Sequence, residues 1–385
     1  MPRKPTTSKP DPTAGGLRYR RIVAKLGTNL LTGGGSRLDL QVMAAIVGQV
    51  AEIRAHGGQV IVVSSGAIAA GRHRLASAGG TQADVLERQV LASIGMSYLM
   101  RSYDDLFAWH DITVAQALLT RRDLADRNGY LNARNTLLTL LDLGVVPIVN
   151  ENDVVATDEI SVGFGDNDNL SAQVANLVDA DLLAILSDVD GLFTADPRSD
   201  RDATLIERVE TVDATIEAMA GGASARGRGG MATKLQAAKL ATASGTDVVI
   251  ARGVGPNILV RLGFGESVGT LFPAQGDRVE SRRRWMLSGL SVRGEVVIDD
   301  GAARALRRSG SSLLPAGVQK VTGRFERGDS VAVVSAEGHR IAVGISNYDA
   351  ADLERVKGVR SDRIEAILGY QFGAEAVHRN NLVLL

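Results

Sequence analysis

Four short segments concentrate side chains that could hold anions. The first, Lys25-Leu26-Gly27-Thr28-Asn29, closes an apolar stretch. A lysine there is costly to bury unless it meets an anion, and Gly27 can open the main-chain N–H groups behind it to oxyanions. A lysine that snorkels to water is the plainer alternative. The second, Ser64-Ser65-Gly66-Ala67-Ile68-Ala69-Ala70-Gly71, combines small residues with the start of a helix. That combination lets a carboxylate or phosphate approach the main chain, although serine N-capping alone would also explain it. The third is a pair of polar clusters, Asn150-Glu151-Asn152-Asp153 and Gly165-Asp166-Asn167-Asp168-Asn169. Acidic groups can hold an ammonium and amides a carboxylate, which together would suit an amino acid; the competing reading is a pair of turns. The fourth, Gly227-Arg228-Gly229-Gly230-Met231-Ala232-Thr233-Lys234, opens a helix with glycines and puts a lysine in its first turn. This makes an anion cradle without a P-loop, or else a flexible loop beside a surface lysine. Two lysines far apart in sequence, with acidic residues between them, suggest phosphoryl transfer. That reaction needs charge stabilisation and alignment more than covalent help.

The familiar alternatives are missing. No Gly-Lys pair occurs, so there is no GxxxxGK[ST] loop, and the HRD, DFG and HExxH motifs are absent. Residues 227–232 satisfy GxGxxA only formally and do not open the first βαβ unit. The EF-hand spacing does not occur in the acidic clusters.

The elements that would position these segments alternate. Strands are expected at Tyr19–Gly27, Gln59–Ser64, Ile112–Leu119, Val145–Val149, Leu182–Ser187 and Asp247–Ala251. Helical spacing marks Leu38–Arg54, Val85–Phe107, Leu131–Leu143 and Met231–Ala243. The pattern predicts an α/β domain with a doubly wound, mainly parallel sheet, and each of the four segments then falls on a loop at the C-terminal end of a strand. After Gly269–Phe272 the rhythm changes. Ala274–Leu290 is polar and contains Arg282-Arg283-Arg284. Beyond it, short β runs at Gly294–Ile298, Ser330–Val334 and Ile341–Ser346, with a helical piece at Ala302–Arg308, indicate a smaller β-rich domain. The expected division is a tail at 1–16, a catalytic domain at 17–273, a linker at 274–291 and the β-rich domain at 292–385.

Composition sets the outer limits. The 385 residues are 45% hydrophobic and 23% charged, with net charge −1, values of a folded globular protein. The absence of cysteine excludes disulfides, thiolate metal sites and a cysteine nucleophile. A net charge near zero argues against a chain built mainly for polyanions. Residues 277–385 carry 17 Lys and Arg against 14 Asp and Glu, a mild basic excess. No apolar run is long enough to span a bilayer, and the Pro-rich start has no apolar signal core. A cytoplasmic location is expected.

Taken together and in order, K-L-G-T, S-S-G-A-I-A-A-G, N-E-N-D, G-D-N-D-N-L-S-A and G-G-M-A-T-K resemble the amino-acid kinase family, and within it the branch that phosphorylates glutamate. Leu118–Asn135 and Gly191–Arg198 share the likeness, and the C-terminal region, including Gly310–Pro315, resembles a PUA domain. The resemblance implies ATP- and Mg2+-dependent phosphorylation of the L-glutamate side-chain carboxylate, the first step of proline biosynthesis. It implies that Lys25 and Lys234 bind the transferring phosphoryl group and that Asp168 orients them. By the same likeness, Ser65, Gly66, Ala67, Asn150, Asp153 and Asn167 hold glutamate. ATP falls to Lys25, Gly27, Ser187, Asp188, Arg228, Gly229, Gly230, Met231, Ala232, Thr233 and Lys234, with magnesium on the phosphates and little direct protein coordination. A homo-oligomer, functional coupling to the next proline-pathway enzyme and RNA binding by the PUA-like region are further expectations of the likeness. Asn29 departs from the pattern, standing where a small hydroxyl residue is expected.

Overall fold

A computed structural model describes residues 16–75, 85–156, 167–220, 230–275, 292–309 and 311–385. It forms two compact units that divide between Arg278 and Val279, the second also counting the short segment Asp126–Leu131.

The first unit is built on seven strands: β1 (Arg21–Leu26), β2 (Gln59–Val63), β3 (Val114–Leu119), β4 (Val146–Glu151), β5 (Leu182–Ser187), β6 (Asp247–Arg252) and β7 (Thr270–Phe272). Their order is β3-β4-β2-β1-β5-β6-β7. Every neighbouring pair is parallel except β6 and β7. β4 and β5 are buried along their whole length, as expected of strands covered on both faces. From β1 the chain adds β2, then the edge strand β3, returns to place β4 between β3 and β2, and crosses to β5 on the other side of β1. Ligands in such sheets collect at this reversal, above the C-terminal ends of the strands. Lys25 sits there, in register with Val63 of β2 and Ile185 of β5.

The helices of this unit are α1 (Thr28–Leu31), α2 (Leu40–Ala55), α3 (Ala67–Leu75), α4 (Val85–Ala108), α5 (Arg121–Ala125), α6 (Arg127–Asp142, counted with this unit from Asn132 on), α7 (Asn167–Leu177), α8 (Ala214–Met219), α9 (Met231–Ala243) and α10 (Ile258–Gly263). Apolar faces of α2 and α4 close over the sheet in one core that includes Ile22, Leu26, Met43, Ile53, Val60, Leu99 and Phe107. α3 and α4 meet backbone to backbone. A Cβ on Gly95 would lie 1.8 Å from the Ala67 carbonyl oxygen, and one on Gly71 would lie 1.9 Å from that of Leu91. The helix-propensity gain of about 1 kcal/mol from alanine cannot offset such a clash. These glycines therefore fix how α4 grips the start of α3.

The second unit holds β8 (Gly294–Ile298), β9 (Val318–Gly323), β10 (Ser330–Ser335), β11 (Arg340–Ile345) and β12 (Leu382–Leu384) in the order β12-β11-β10-β8-β9. Only β8 and β10 pair in parallel. Val296, Val331, Ile341, Tyr348 and Leu353 belong to its separate core. Among the described residues no helix is long and apolar enough to cross a membrane.

Several expectations need correction. The helix expected at Leu131–Leu143 begins four residues earlier, at Arg127. The strand expected from Ile112 begins at Val114. Asn150 and Glu151 end β4 rather than forming a loop, and Asn167-Asp168-Asn169 opens α7. Asn and Asp serve turns and first helical turns alike, and an acidic residue in a first turn is favoured by the helix dipole, so composition alone left the choice open. β9 escaped because Gln319 and Lys320 are exposed polar residues that break the apolar run, and β12 because it has three residues. The triple-arginine stretch 282–284 lies outside the described residues.

Candidate active site

Asp168, in the first turn of α7, is fully buried, and so nearly are Lys25 and Lys234, at 5% and 4% exposure. Lys25 Nζ lies 2.5 Å from Asp168 Oδ1, and Lys234 Nζ 3.3 Å from Oδ2. Thr233 Oγ1 donates to the same Oδ2 at 2.9 Å. Residues separated by 209 positions in the sequence thus share one carboxylate. Burial alone would raise the Asp168 pKa; the Lys25 and Lys234 charges and the Lys25 and Thr233 hydrogen bonds outweigh it and hold the carboxyl below its ordinary value. The site keeps one anion and two cations together, shielded from water.

Two helix starts frame this cluster. α1 begins after Gly27 and α9 after Gly230, and among the described residues no side chain caps either N-terminus. Their first N–H groups can therefore receive oxyanions. Gly27 is more constrained than its sequence context suggests: its own N–H donates to the Leu186 carbonyl at 3.1 Å, so the donors it releases lie beyond it. Met231, Ala232, Thr233 and Lys234 form the opening of α9. Arg228 and Gly229, along with Gly165 and Asp166, lie outside the described residues.

Asn29, the departure noted in the sequence, lies in α1 rather than in a loop and ties that helix to the segment after β5. Its amide donates to Asp188 Oδ2 at 2.9 Å, while Ser187 Oγ donates to Asp188 Oδ1 at 2.9 Å. Partial burial raises the Asp188 pKa, but these hydrogen bonds bring it below the usual carboxylate range. A hydroxyl in place of Asn29 would be too short for this bridge, a role that sequence reasoning missed.

On the other side of α7, the preceding residue makes a second cluster. Asn167 Nδ2 donates to the Ser64 carbonyl at 2.6 Å, to Ser65 Oγ at 3.1 Å and to Asn150 Oδ1 at 3.1 Å. It joins the ends of β2 and β4. Gly66 takes φ +98°, a conformation that favours glycine, and Ala67 opens α3. Asp153 stands half-buried in the turn that follows β4. Consecutive residues of one helix start therefore serve two places: Asn167 organises the polar cluster, and Asp168 the paired lysines.

Comparison with known proteins shows the family. Residues 20–252 match the model of the amino acid kinase family, and residues 294–368 that of the PUA domain. The chain is 52% identical over 369 residues to a glutamate 5-kinase of Dehalococcoides mccartyi (strain CBDB1), covering 95% of this chain and 99% of that protein. The chain belongs to the glutamate 5-kinase branch of the amino acid kinase family. A glutamate 5-kinase of Herpetosiphon aurantiacus is 51% identical, and one of Paraburkholderia xenovorans 50%, each across 95% of this chain and 98% of its own length. Membership of this branch covers both units, because the relatives align almost from end to end.

Proposed function

We propose that the chain transfers the γ-phosphoryl group of ATP to the side-chain carboxylate of L-glutamate. The products are L-glutamyl 5-phosphate and ADP, and the reaction is the first step of proline biosynthesis. The observation that carries the reading is the sharing of Asp168 by Lys25 and Lys234 at the sheet's switch point. The proposed limits are 17–273 for the catalytic domain, 274–291 for the linker and 292–385 for the PUA domain, and the division between Arg278 and Val279 falls within that linker.

The chemistry follows from charge. Glutamate's side chain is already ionised at neutral pH, with an ordinary pKa of ~4.3, so its oxygen can attack without a strong general base. The difficulty is bringing it against a polyanion. Lys25 and Lys234 face the transferring group and offset its charge, and the open starts of α1 and α9 supply N–H donors to its neighbours. Asp168 holds both ammonium groups in place by ion pairing. ATP supplies the activated phosphoryl group, and its magnesium lowers the charge on the phosphates. Among the described residues no three His, Cys, Asp or Glu side chains gather to hold a metal ion. Magnesium bound to ATP would keep phosphate and water oxygens around it.

The polar cluster fits the acceptor. The hydrogens of the Asn167 amide are spent on Ser64, Ser65 and Asn150, whereas its Oδ1 is buried and finds no partner among the described residues. An acceptor atom in that state suits the α-ammonium of an amino acid, and Asp153 adds a carboxylate nearby in sequence. Ser65, Gly66 and Ala67 present a hydroxyl and main-chain N–H groups suited to a carboxylate.

Trapping the acyl phosphate with hydroxylamine tests this. With ATP and Mg2+, glutamate is expected to give hydroxamate, whereas glutarate, which lacks the ammonium, and aspartate, which is one methylene shorter, give far less. Hydroxamate that forms equally well from glutarate would refute the ammonium site.

A further inference from the structure

We propose that Tyr103 is a positioning residue for the acceptor site, acting through Ser64 on the peptide that carries the Gly66 N–H. This rests on the phosphorylation reaction proposed above and adds a residue that lies on α4, away from the four anion-holding segments.

Tyr103 and Ser64 are buried, at 1% and 0% exposure. Their hydroxyl oxygens are 2.8 Å apart. Ser64 Oγ also donates to the Ser65 carbonyl oxygen at 3.1 Å. A serine hydroxyl has one hydrogen. Once that hydrogen is given to Ser65, the contact with Tyr103 is satisfied only if the phenol donates. The bonds therefore run in one direction, from Tyr103 O–H to Ser64 Oγ and from Ser64 O–H to the Ser65 carbonyl. Burial raises the Tyr103 pKa more than the Ser64 contact lowers it, so the phenol keeps the proton it needs to donate.

The Ser65–Gly66 peptide is trans, like every described peptide bond. In a trans peptide the N–H points opposite to the C=O. Holding the Ser65 carbonyl therefore aims the Gly66 N–H. The aim needs holding, because Gly66 sits at φ +98°, and a glycine left free would sample other orientations. Asn167 clamps the same segment from α7, through the Ser64 carbonyl and Ser65 Oγ. The Tyr103 chain clamps it from α4. The close crossing at Gly95 and Ala67 makes α4 a firm base for this, and Phe107 packs one turn on with its ring 6.4 Å from that of Tyr103. A purely apolar Phe would fill the same space; the hydroxyl at this position serves the substrate loop.

Tyr103→Phe removes the donor and little else. In the hydroxamate assay with the full chain, KM for glutamate is expected to rise about three- to tenfold, the worth of one hydrogen bond, while KM for ATP stays unchanged. The glutamate-induced rise in Tm, read without ATP, shrinks in parallel. Ser64→Ala breaks the chain one link further on and gives the same selective shift. The double variant gives no more than either alone, because one chain has been cut twice. A role in packing only would lower Tm and leave KM for glutamate at its wild-type value, which would overturn the proposal, as would independent, additive shifts in the double variant. A wild-type chain that makes no hydroxamate from glutamate removes the reaction on which the inference rests. Wild-type activity alongside an unchanged KM in Tyr103→Phe removes the inference alone.

Discussion

With Lys25 or Lys234 replaced by methionine, kcat for glutamyl phosphate formation is expected to fall about 100-fold or more at saturating ATP and glutamate, as loss of one charge-stabilising donor does elsewhere. Methionine keeps a long apolar stem in the buried site and removes only the charge. The effect is large because both nitrogens are shielded from water: the side chains are 6% and 5% exposed. Charges act more strongly there than at a surface, and they need no reorganisation when the phosphoryl group moves. Each single variant still leaves Asp168 paired with the other lysine, so the fold should survive, and far-UV circular dichroism checks that it does. A lysine whose loss leaves kcat near wild type has no part in the transfer.

Asp168→Asn is expected to damage both catalysis and stability. Asparagine can still accept a hydrogen bond, but it leaves two buried ammonium groups without a counter-charge. Removing one partner of a buried ion pair costs about 3–5 kcal/mol. Lys25 and Lys234, no longer held by a shared carboxylate, turn toward water, which removes charge from the transferring group. kcat should therefore drop by about 100-fold or more, as for the lysines. The stability loss has a defined pH dependence. The Asp168 pKa is lower in the folded chain than in the unfolded one, so the ionised carboxylate stabilises the fold. That stabilisation is complete above the unfolded carboxylate value of ~3.9 and is lost as pH falls through the lower native value. Urea denaturation should show a wide gap between wild type and variant at neutral pH, and a gap that closes below about pH 4. A constant gap down to strong acid would mean that the charge of Asp168 is not what stabilises the site.

Much of this site could be read before any coordinates. Lys25 stood out because an ammonium at the end of an apolar strand needs an anion, and Lys234 because glycines and a helix start preceded it. The element order placed both at the same end of one sheet. What the sequence could not show was that Asp168 is the shared partner through geometry, since an Asp in a run of Asn and Asp reads equally well as a turn. Asn29 was seen only as a departure; its bridge to Asp188 depends on the spacing between α1 and the end of β5, which no local pattern encodes. Tyr103 was invisible for another reason. Its neighbours at helical spacing, Leu99, Leu106 and Phe107, are core residues, and a tyrosine among them reads as one more. Only the position of its hydroxyl, 2.8 Å from Ser64, separates it from the packing.

The central claim is that Lys25 and Lys234 converge on one migrating phosphoryl group. A crystal structure of the chain with ADP, Mg2+, glutamate and tetrafluoroaluminate tests it most directly, because the planar fluoride complex stands in for the phosphoryl group in flight. The expected result places both Nζ atoms within hydrogen-bonding reach, about 3 Å, of that one complex, each still bonded to Asp168. A structure in which either nitrogen turns away from the complex, or in which the two contact different groups, would contradict the account.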